Sequence, residues 1–250
     1  MSSPLVSVIT TAYNASRFIG ESMRSIFNQS FKDFELVVFN DSSTDRTWSI
    51  VEDTIREFEG RYSISNRIVG FGNIGCGLGR MEAISRASGK YIAIQDADDI
   101  SYLNRLEKEV SFLESHDDIF CVGSWADKIN KKGENIGEMT YPPELHNDIV
   151  DFIFTKRNPI IDPSSMFRRD VFDSLGGYED KWNLVPDLHL WIKALKGGSR
   201  FANIPEKLIC YRKYEESVTT MNNKAAVAQH CLLHKEMLSM HKKRDFEFIN

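Results

Sequence analysis

Asp96-Ala97-Asp98-Asp99 puts three carboxylates into four residues. Like charges this close repel one another, and the cost grows where the segment is partly buried. A fully solvated turn relieves the repulsion, and so does a bound divalent cation. Hard oxygen ligands suit Mg2+ or Mn2+, which typically takes one or two protein carboxylates and leaves positions for substrate phosphates. The spacing favours the metal. Two further polar clusters, Thr10 to Asn14 and Asn40 to Asp45, have the composition of turns and caps, and Ser42 to Asp45 can cap a following helix. Gly75-Cys76-Gly77-Leu78-Gly79 has GxGxG spacing and not the GxGxxG of a dinucleotide fingerprint. Its glycines either let backbone approach a phosphate or permit a tight helix entry. Arg80, just inside the helix that follows, is placed for a pyrophosphate or a nearby carboxylate.

Alternating elements must position these clusters. Short apolar, β-branched runs at 5–10, 34–39, 62–69 and 91–94 read as buried strands. Between them, Phe18, Ile19, Met23, Ile26 and Phe27 recur at helical spacing, as do Trp48, Val51, Ile55 and Phe58; a third helix runs from the glycine loop at 70–79 to about residue 87. This is an α/β pattern, a mostly parallel sheet with helices on both faces. Ligands of such sheets bind beyond the carboxyl ends of the strands, where the Thr10, Asn40 and Asp96 clusters all fall.

After residue 100 the pattern changes. Leu103, Leu106, Val110 and Leu113 mark an amphipathic helix, 120–136 reads as a hairpin turning near Lys132-Gly133, and 142–200 mixes short helices with loops. A last strand is expected at 208–212 and a helix over about 222–243. One domain over 1–220 is the economical reading, with a nucleotide-binding half (1–99), an acceptor-binding half (100–220) and a C-terminal helical extension (221–250).

The 250 residues carry 31 basic and 36 acidic side chains, a net charge of −5, which argues against a nucleic-acid-coating role. Four cysteines (Cys76, Cys121, Cys210, Cys231) lie far apart with no CxxC pair, the pattern of buried, reduced thiols in a cytosolic protein. Met1-Ser2-Ser3-Pro4 leads into an apolar run without a basic segment, and no apolar stretch is long enough for a membrane span, so a cytoplasmic location is expected. In the C-terminal helix Lys224, Lys235, Lys242, Lys243 and Arg244 outweigh Glu236, and Val227, Cys231 and Leu238 share a face. That helix either packs on the domain or rests peripherally on an anionic membrane.

Six blocks, in order, resemble glycosyltransferase family 2, inverting enzymes with a GT-A fold, over about residues 4–220. VSVITTAYN resembles the family's opening strand and nucleotide loop, which implies nucleotide contacts at Thr10, Ala12, Tyr13 and Asn14. FELVVFNDSSTDRT resembles its second, with Asp41 at the position that reads uracil. Asn73-Ile74-Gly75 with Gly79-Arg80 is similar to the loop near the diphosphate. GKYIAIQDADD resembles the strand ending in the DxD motif, which puts Asp96 and Ala97 near the ribose and Asp98 on the metal. NPIIDPSSMFRRDVFDSLGGY and PDLHLWIKAL resemble the acceptor half, with Asp187 at the catalytic-base position. The chain departs from the family in having Asn40 where an aspartate is common, Pro186 before the base, and Tyr214 where a histidine often helps hold the metal.

The resemblance implies a metal-assisted displacement that moves a sugar from a nucleotide-sugar, with UDP expected, to the hydroxyl of a saccharide or lipid-linked saccharide. The metal stabilises the departing diphosphate and a carboxylate takes the acceptor proton. Asp187 is either that base or a first-turn aspartate facing the helix dipole, and the resemblance favours the base. Asp99 and Trp182 are expected on the acceptor side, Trp182 because it sits in a polar loop; Trp191 falls in an apolar helix stripe with Leu188 and Leu195. A nucleotidyltransferase with a similar metal site and a non-catalytic nucleotide-sugar binder are the alternatives, and the glycine spacing disfavours a dehydrogenase.

Overall fold

The computed structural model describes residues 3–58, 67–69, 72–154, 158–215 and 223–242. Its strands are β1 (Val6–Ala12), β2 (Phe34–Asn40), β3 (Arg67–Val69), β4 (Tyr91–Ile94), β5 (Ile100–Ser101), β6 (Ile119–Ile129), β7 (Asn135–Met139), β8 (Met166–Arg168) and β9 (Arg200–Arg212). The α-helices are α1 (Ile19–Phe27), α2 (Thr47–Glu57), α3 (Cys76–Ser85), α4 (Arg105–Ser115), α5 (His146–Phe154), α6 (Arg169–Ser174), α7 (Pro186–Lys196) and α8 (Asn223–Lys242). Short 3-10 turns lie at Asp162–Ser164 and Asp180–Trp182.

One mixed sheet runs in the order β3-β2-β1-β4-β8-β6-β9-β5, with β7 added on β6. Its first half is parallel, as the strand–helix alternation indicates: Val6 aligns with Phe34 on one side and with Tyr91 on the other. Antiparallel pairs enter with β8, whose three residues sit between β4 and β6. The 120–136 hairpin forms as β6 and β7, with Gly133 at positive φ in its turn. Strand β9 is longer than the 208–212 expected and pairs parallel with β6. Residues 62–66 of the expected third strand and 70–71 of the glycine loop lie outside the described residues, as do residue 222, Lys243 and Arg244 of the expected last helix.

The period-2 alternation of the strands sorts their side chains into two cores. Val6, Val8 and Ala12 pack with Phe34, Leu36 and Val38 against Ile19, Met23, Ile26 and Phe27 of α1 and against α2. Ile9, Val37, Phe39, Ile92 and Ile94 pack on the other face with Ala83 and Ile84 of α3 and with Leu190 and Trp191 of α7. Trp191 is therefore core, as its stripe indicates. In a third cluster Trp182 meets Ile153, Leu188, Ile192 and, from α8, Leu233 and Met237. The C-terminal helix thus packs on the domain along one face and leaves Val227 and Leu232 exposed on the other. The cysteines are free thiols; only Cys121 is buried, and Cys231 is exposed, against the expectation of four buried thiols.

Candidate active site

The segment after β4 is fixed from beneath by buried polar groups. The Gln95 amide nitrogen donates to Ser22 Oγ (3.0 Å) and to the carbonyl of Asp99 (2.9 Å), and Ser22 Oγ donates to the carbonyl of Asp96 (2.8 Å). Arg105, fully buried, donates to Gln95 Oε1 and to the carbonyl of Ile94, and is neutralised by Glu109 at 2.9 Å. Removing one member of such a buried pair leaves a charge uncompensated and typically costs about 3–5 kcal/mol. The turn at 96–99 is therefore held rigidly.

On this base the carboxylates of Asp96, Asp98 and Asp99 offer oxygens that lie within 4.8 Å of one another. Burial, then the charge of Asp96, pushes the Asp98 carboxyl up to about 6. Burial and its two neighbours, Asp98 and Asp96, also raise the Asp99 carboxyl well above the usual carboxylate range. Its Oδ1 accepts the Arg212 backbone N–H (2.7 Å), while Oδ2 is buried without a hydrogen-bond partner. An orphaned carboxylate oxygen amid mutually repelling carboxylates fits a hard divalent cation. Tyr214 donates its hydroxyl to Asp98 Oδ2 (2.9 Å). Burial and the same carboxylate push the phenol upward, so Tyr214 serves as a neutral donor to the cluster.

The loops after β1 and β2 are stitched together. Asp41 N–H donates to the carbonyl of Ala12, Asn14 N–H to Ser43 Oγ, and Thr44 N–H to Asn14 Oδ1. Asn14 and Ser42 hold φ of 48° and 62°, a left-handed backbone uncommon for residues other than glycine and frequent at ligand sites. Asp45 accepts the N–H of Thr47, the first residue of α2: against a slight desolvation, hydrogen bonds from Ser16 and Thr47 hold its carboxyl down at about 2. The two Asp41 oxygens accept the backbone N–H groups of Ile74 and Gly75, both at 2.8 Å, which ties the glycine loop to the second strand end.

The glycines themselves serve a tight helix entry. Asn183 Oδ1 accepts from the N–H of Gly77 (2.7 Å) at the start of α3, and its Nδ2 donates to the carbonyl of Ile74 (2.7 Å). A Cβ at Gly75 would sit 2.4 Å from Asn183 Nδ2, and φ there is +86°. Asn183 lies just before α7, so this plug also docks the α7 region onto the glycine loop. The Gly75 N–H is committed to Asp41, so its place in the site is to shape the loop.

Arg80 resolves toward carboxylates. Buried to 2% exposure, it pairs with Asp96 at 2.9 Å and with Asp162 at 2.6 Å. Of the two partners its position offers, a pyrophosphate or a nearby carboxylate, the structure shows the carboxylate one and not the nucleotide contact. Burial pushes Asp162 up to about 7 against the pull of Arg80, whose charge Asp96 shares. Asp187, in the first turn of α7, is partly buried and accepts a hydrogen bond from Asn158 Nδ2. Burial raises its carboxyl, while Arg80, the backbone N–H groups at the helix start and Asn158 pull it back. Arg80 thereby joins Asp96 of the carboxylate turn to Asp162, and its charge also acts on Asp187.

Of the remaining expected residues, Tyr13 is 45% exposed and Ala97 is buried beside the carboxylates. Ala12 is also buried, but its carbonyl receives Asp41. Three placements are corrections. Thr10 is 1% exposed and its side chain lies on the α1/α2 face; Thr11, one residue on, turns toward Cys76 and α3. Trp182 is 3% exposed and stacks on His189, so no acceptor reaches its face. Asp99 is buried under the cluster, not turned to an acceptor. Thr11, Asn158 and Asn183 also belong to this network, and the sequence carries no local signal for their contacts. Strand parity alone distinguishes Thr11 from Thr10, and both asparagines act over long sequence separations that no local pattern marks.

The family profile described as "Glycosyl transferase family 2" matches residues 7–176. The chain belongs to glycosyl transferase family 2. A relative named as an uncharacterized glycosyltransferase of Haemophilus influenzae is 35% identical over 88% of this chain and 69% of its own. A relative from Escherichia coli, named UDP-Glc:alpha-D-GlcNAc-diphosphoundecaprenol beta-1,3-glucosyltransferase WfaP, is 26% identical over 96% and 89%. Among solved structures, S. aureus TarS residues 1–349 with UDP-GlcNAc superposes with a TM-score of 0.75 at 21% identity, covering 98% of this chain and 71% of that one. The mannosyltransferase PcManGT of Pyrobaculum calidifontis, with GDP-Man and Mn2+, gives 0.69 at 21% identity over 94% and 64%. This family 2 glycosyltransferase therefore has the GT-A fold. Its carboxylate turn, the stitched loops after β1 and β2, and the α7 aspartate lie toward the strand ends where the α/β reading places the ligands.

Proposed function

We propose that this glycosyltransferase transfers a sugar from a UDP-sugar, with inversion, to a hydroxyl of a saccharide or lipid-linked saccharide. The observation that carries the reading is the packed Asp96/Asp98/Asp99 cluster with its orphaned buried oxygen. Asp98 holds Mn2+ or Mg2+, with Asp96 and Asp99 completing the negative field. When bound, the cation stabilises negative charge on the departing diphosphate. Tyr13 offers an exposed aromatic face beside the donor loops, suited to stacking on a base. Asp41 keeps the spare lone pairs of its two oxygens for the uracil imide. Asp187, with a carboxyl raised by burial, accepts the proton of the attacking hydroxyl.

Incubation with UDP-sugars, Mn2+ and candidate acceptors tests this reading. It requires UDP release coupled to acceptor glycosylation and suppressed by EDTA; pyrophosphate release would instead indicate nucleotidyl transfer, and tight binding without turnover a binder. Asp41→Ala is expected to weaken UDP binding and erode the preference for UDP over other nucleotides in calorimetric titrations. It removes the imide acceptor and also frees the N–H groups of Ile74 and Gly75. Unchanged affinity and preference would count against this role.

Among the described residues no helix is long and apolar enough to cross a membrane. The exposed face of α8 carries Val227, Cys231 and Leu232 beside Lys224 and Lys235, which suits peripheral contact with anionic headgroups on the cytoplasmic side. Co-sedimentation with phosphatidylglycerol-containing vesicles should then fall as salt is raised. Absence of salt-sensitive binding removes the membrane contact and leaves the transferase reading intact.

A further inference from the structure

We infer that Asn158 is a positioning residue for the Asp187 carboxylate, setting which oxygen is left to take the acceptor proton; this rests on Asp187 being the base. Asn158 Nδ2 donates to Asp187 Oδ2, and Asn158 Oδ1 accepts the N–H of Ile160 (3.3 Å). These partners fix the amide orientation independently. An ionised carboxylate only accepts and a backbone N–H only donates, so the flipped amide would lose both bonds. With Oδ2 held by the Asn158 side chain, Oδ1 is the oxygen that carries no side-chain donor, and it is the one presented to the acceptor hydroxyl.

Both ends of the contact are anchored. Pro159 holds the preceding residue in an extended conformation, its carbonyl accepts from Asn203 Nδ2 (3.0 Å), and Ile160 is 1% exposed in the core. Opposite, Pro186 opens α7, and Leu188, Leu190 and Trp191 bury the helix, so Asp187 has little backbone freedom. Asn158 thus reaches across 29 residues of sequence to brace a side chain whose own helix supplies no side-chain partner.

The same bond is electrostatic. The groups facing Asp187 are Arg80 from α3, Asp162 from the 3-10 turn before β8, and Tyr178 from the segment after α6. Burial raises the Asp187 carboxyl; Arg80 opposes it, and so does the Asn158 hydrogen bond, which favours the charged form. Loss of that bond moves the carboxyl upward, so the acidic limb of the rate profile, below which the base is protonated, moves to higher pH.

The test compares Asn158→Ala, the isosteric Asn158→Asp and Asp187→Asn. In Asn158→Ala, kcat should fall about tenfold or more through misplacement of the carboxylate. UDP affinity should stay near the parent value and the acidic limb of kcat should shift upward. Asn158→Asp sets a carboxylate against a carboxylate and should shift that limb further. An unmoved limb in both variants overturns the proposal, whether kcat is unchanged or falls together with thermal stability; the latter marks a merely structural asparagine. Normal turnover in Asp187→Asn is a different failure, that of the base assignment itself.

Discussion

Asp187→Asn is expected to lower the rate of sugar transfer by about 10²–10⁴-fold while sparing donor binding, because general-base assistance typically contributes that much. In free-energy terms this is ~3–5 kcal/mol off transition-state stabilisation. The substitution is nearly isosteric: the asparagine oxygen can still accept from Asn158, so the α7 turn keeps its contacts. What is lost is the ability to take a proton at neutral pH. A base acts on the acceptor, so UDP affinity and its dependence on Mn2+ should match the parent protein. Turnover assays with excess acceptor, paired with calorimetric UDP titrations, separate the outcomes. Normal turnover would move the role to Asp162 or Asp180. Loss of UDP binding would make Asp187 part of the donor site.

Asp98→Asn is expected to abolish the Mn2+-dependent part of UDP binding. The loss should exceed the ~10–100-fold typical of removing only an outer partner of a metal ligand. Asp98, like Asp96, is only partly buried, whereas Asp99 is buried and committed on one side to the Arg212 backbone. Asp99→Asn should therefore act first on stability, with a much smaller change in metal-dependent affinity. Because burial and Asp96 hold the Asp98 carboxyl at about 6, it carries a proton below that pH and is ionised above it. A cation entering below pH 6 must displace this proton, so Mn2+ affinity should weaken as pH falls through 6 and level off above it. Equal, metal-independent UDP affinity in Asp98→Asn and the parent protein would contradict the assignment.

The parallel half of the sheet and the carboxylate turn were legible because their signals are local. Continuous apolar runs mark β1, β2 and β4, and Asp96 to Asp99 is too dense in charge for an ordinary buried strand end. Strand parity was less legible: Val6, Val8, Ser7 and Ile9 are all buried, so the run does not reveal which of Thr10 and Thr11 faces α3. The polar flanks of Trp182 suggested a surface loop, yet α8, some fifty residues later, covers its ring with Leu233 and Met237. For Gly75 and Arg80 the residues alone leave phosphate approach or helix entry, and pyrophosphate or carboxylate, open, and the family resemblance points to the diphosphate. Here Asn183 takes the N–H of Gly77, and two carboxylates take the arginine. Partners of that kind, brought in across the sheet, leave no mark on the local sequence. β8 is three residues long and gains its place only by pairing with β4 and β6, so no periodicity announces it.

The stereochemical course of the reaction tests the central claim most directly. In the proposed site a cation assists the leaving group on one face and Asp187 activates the acceptor on the other, a single displacement that would invert the anomeric carbon. The anomeric coupling constant of the first-formed product can be read by proton NMR, using any α-linked UDP-sugar that the protein turns over. A β-glycoside formed from the outset is the predicted result; an α-glycoside, retaining the donor configuration, would contradict it.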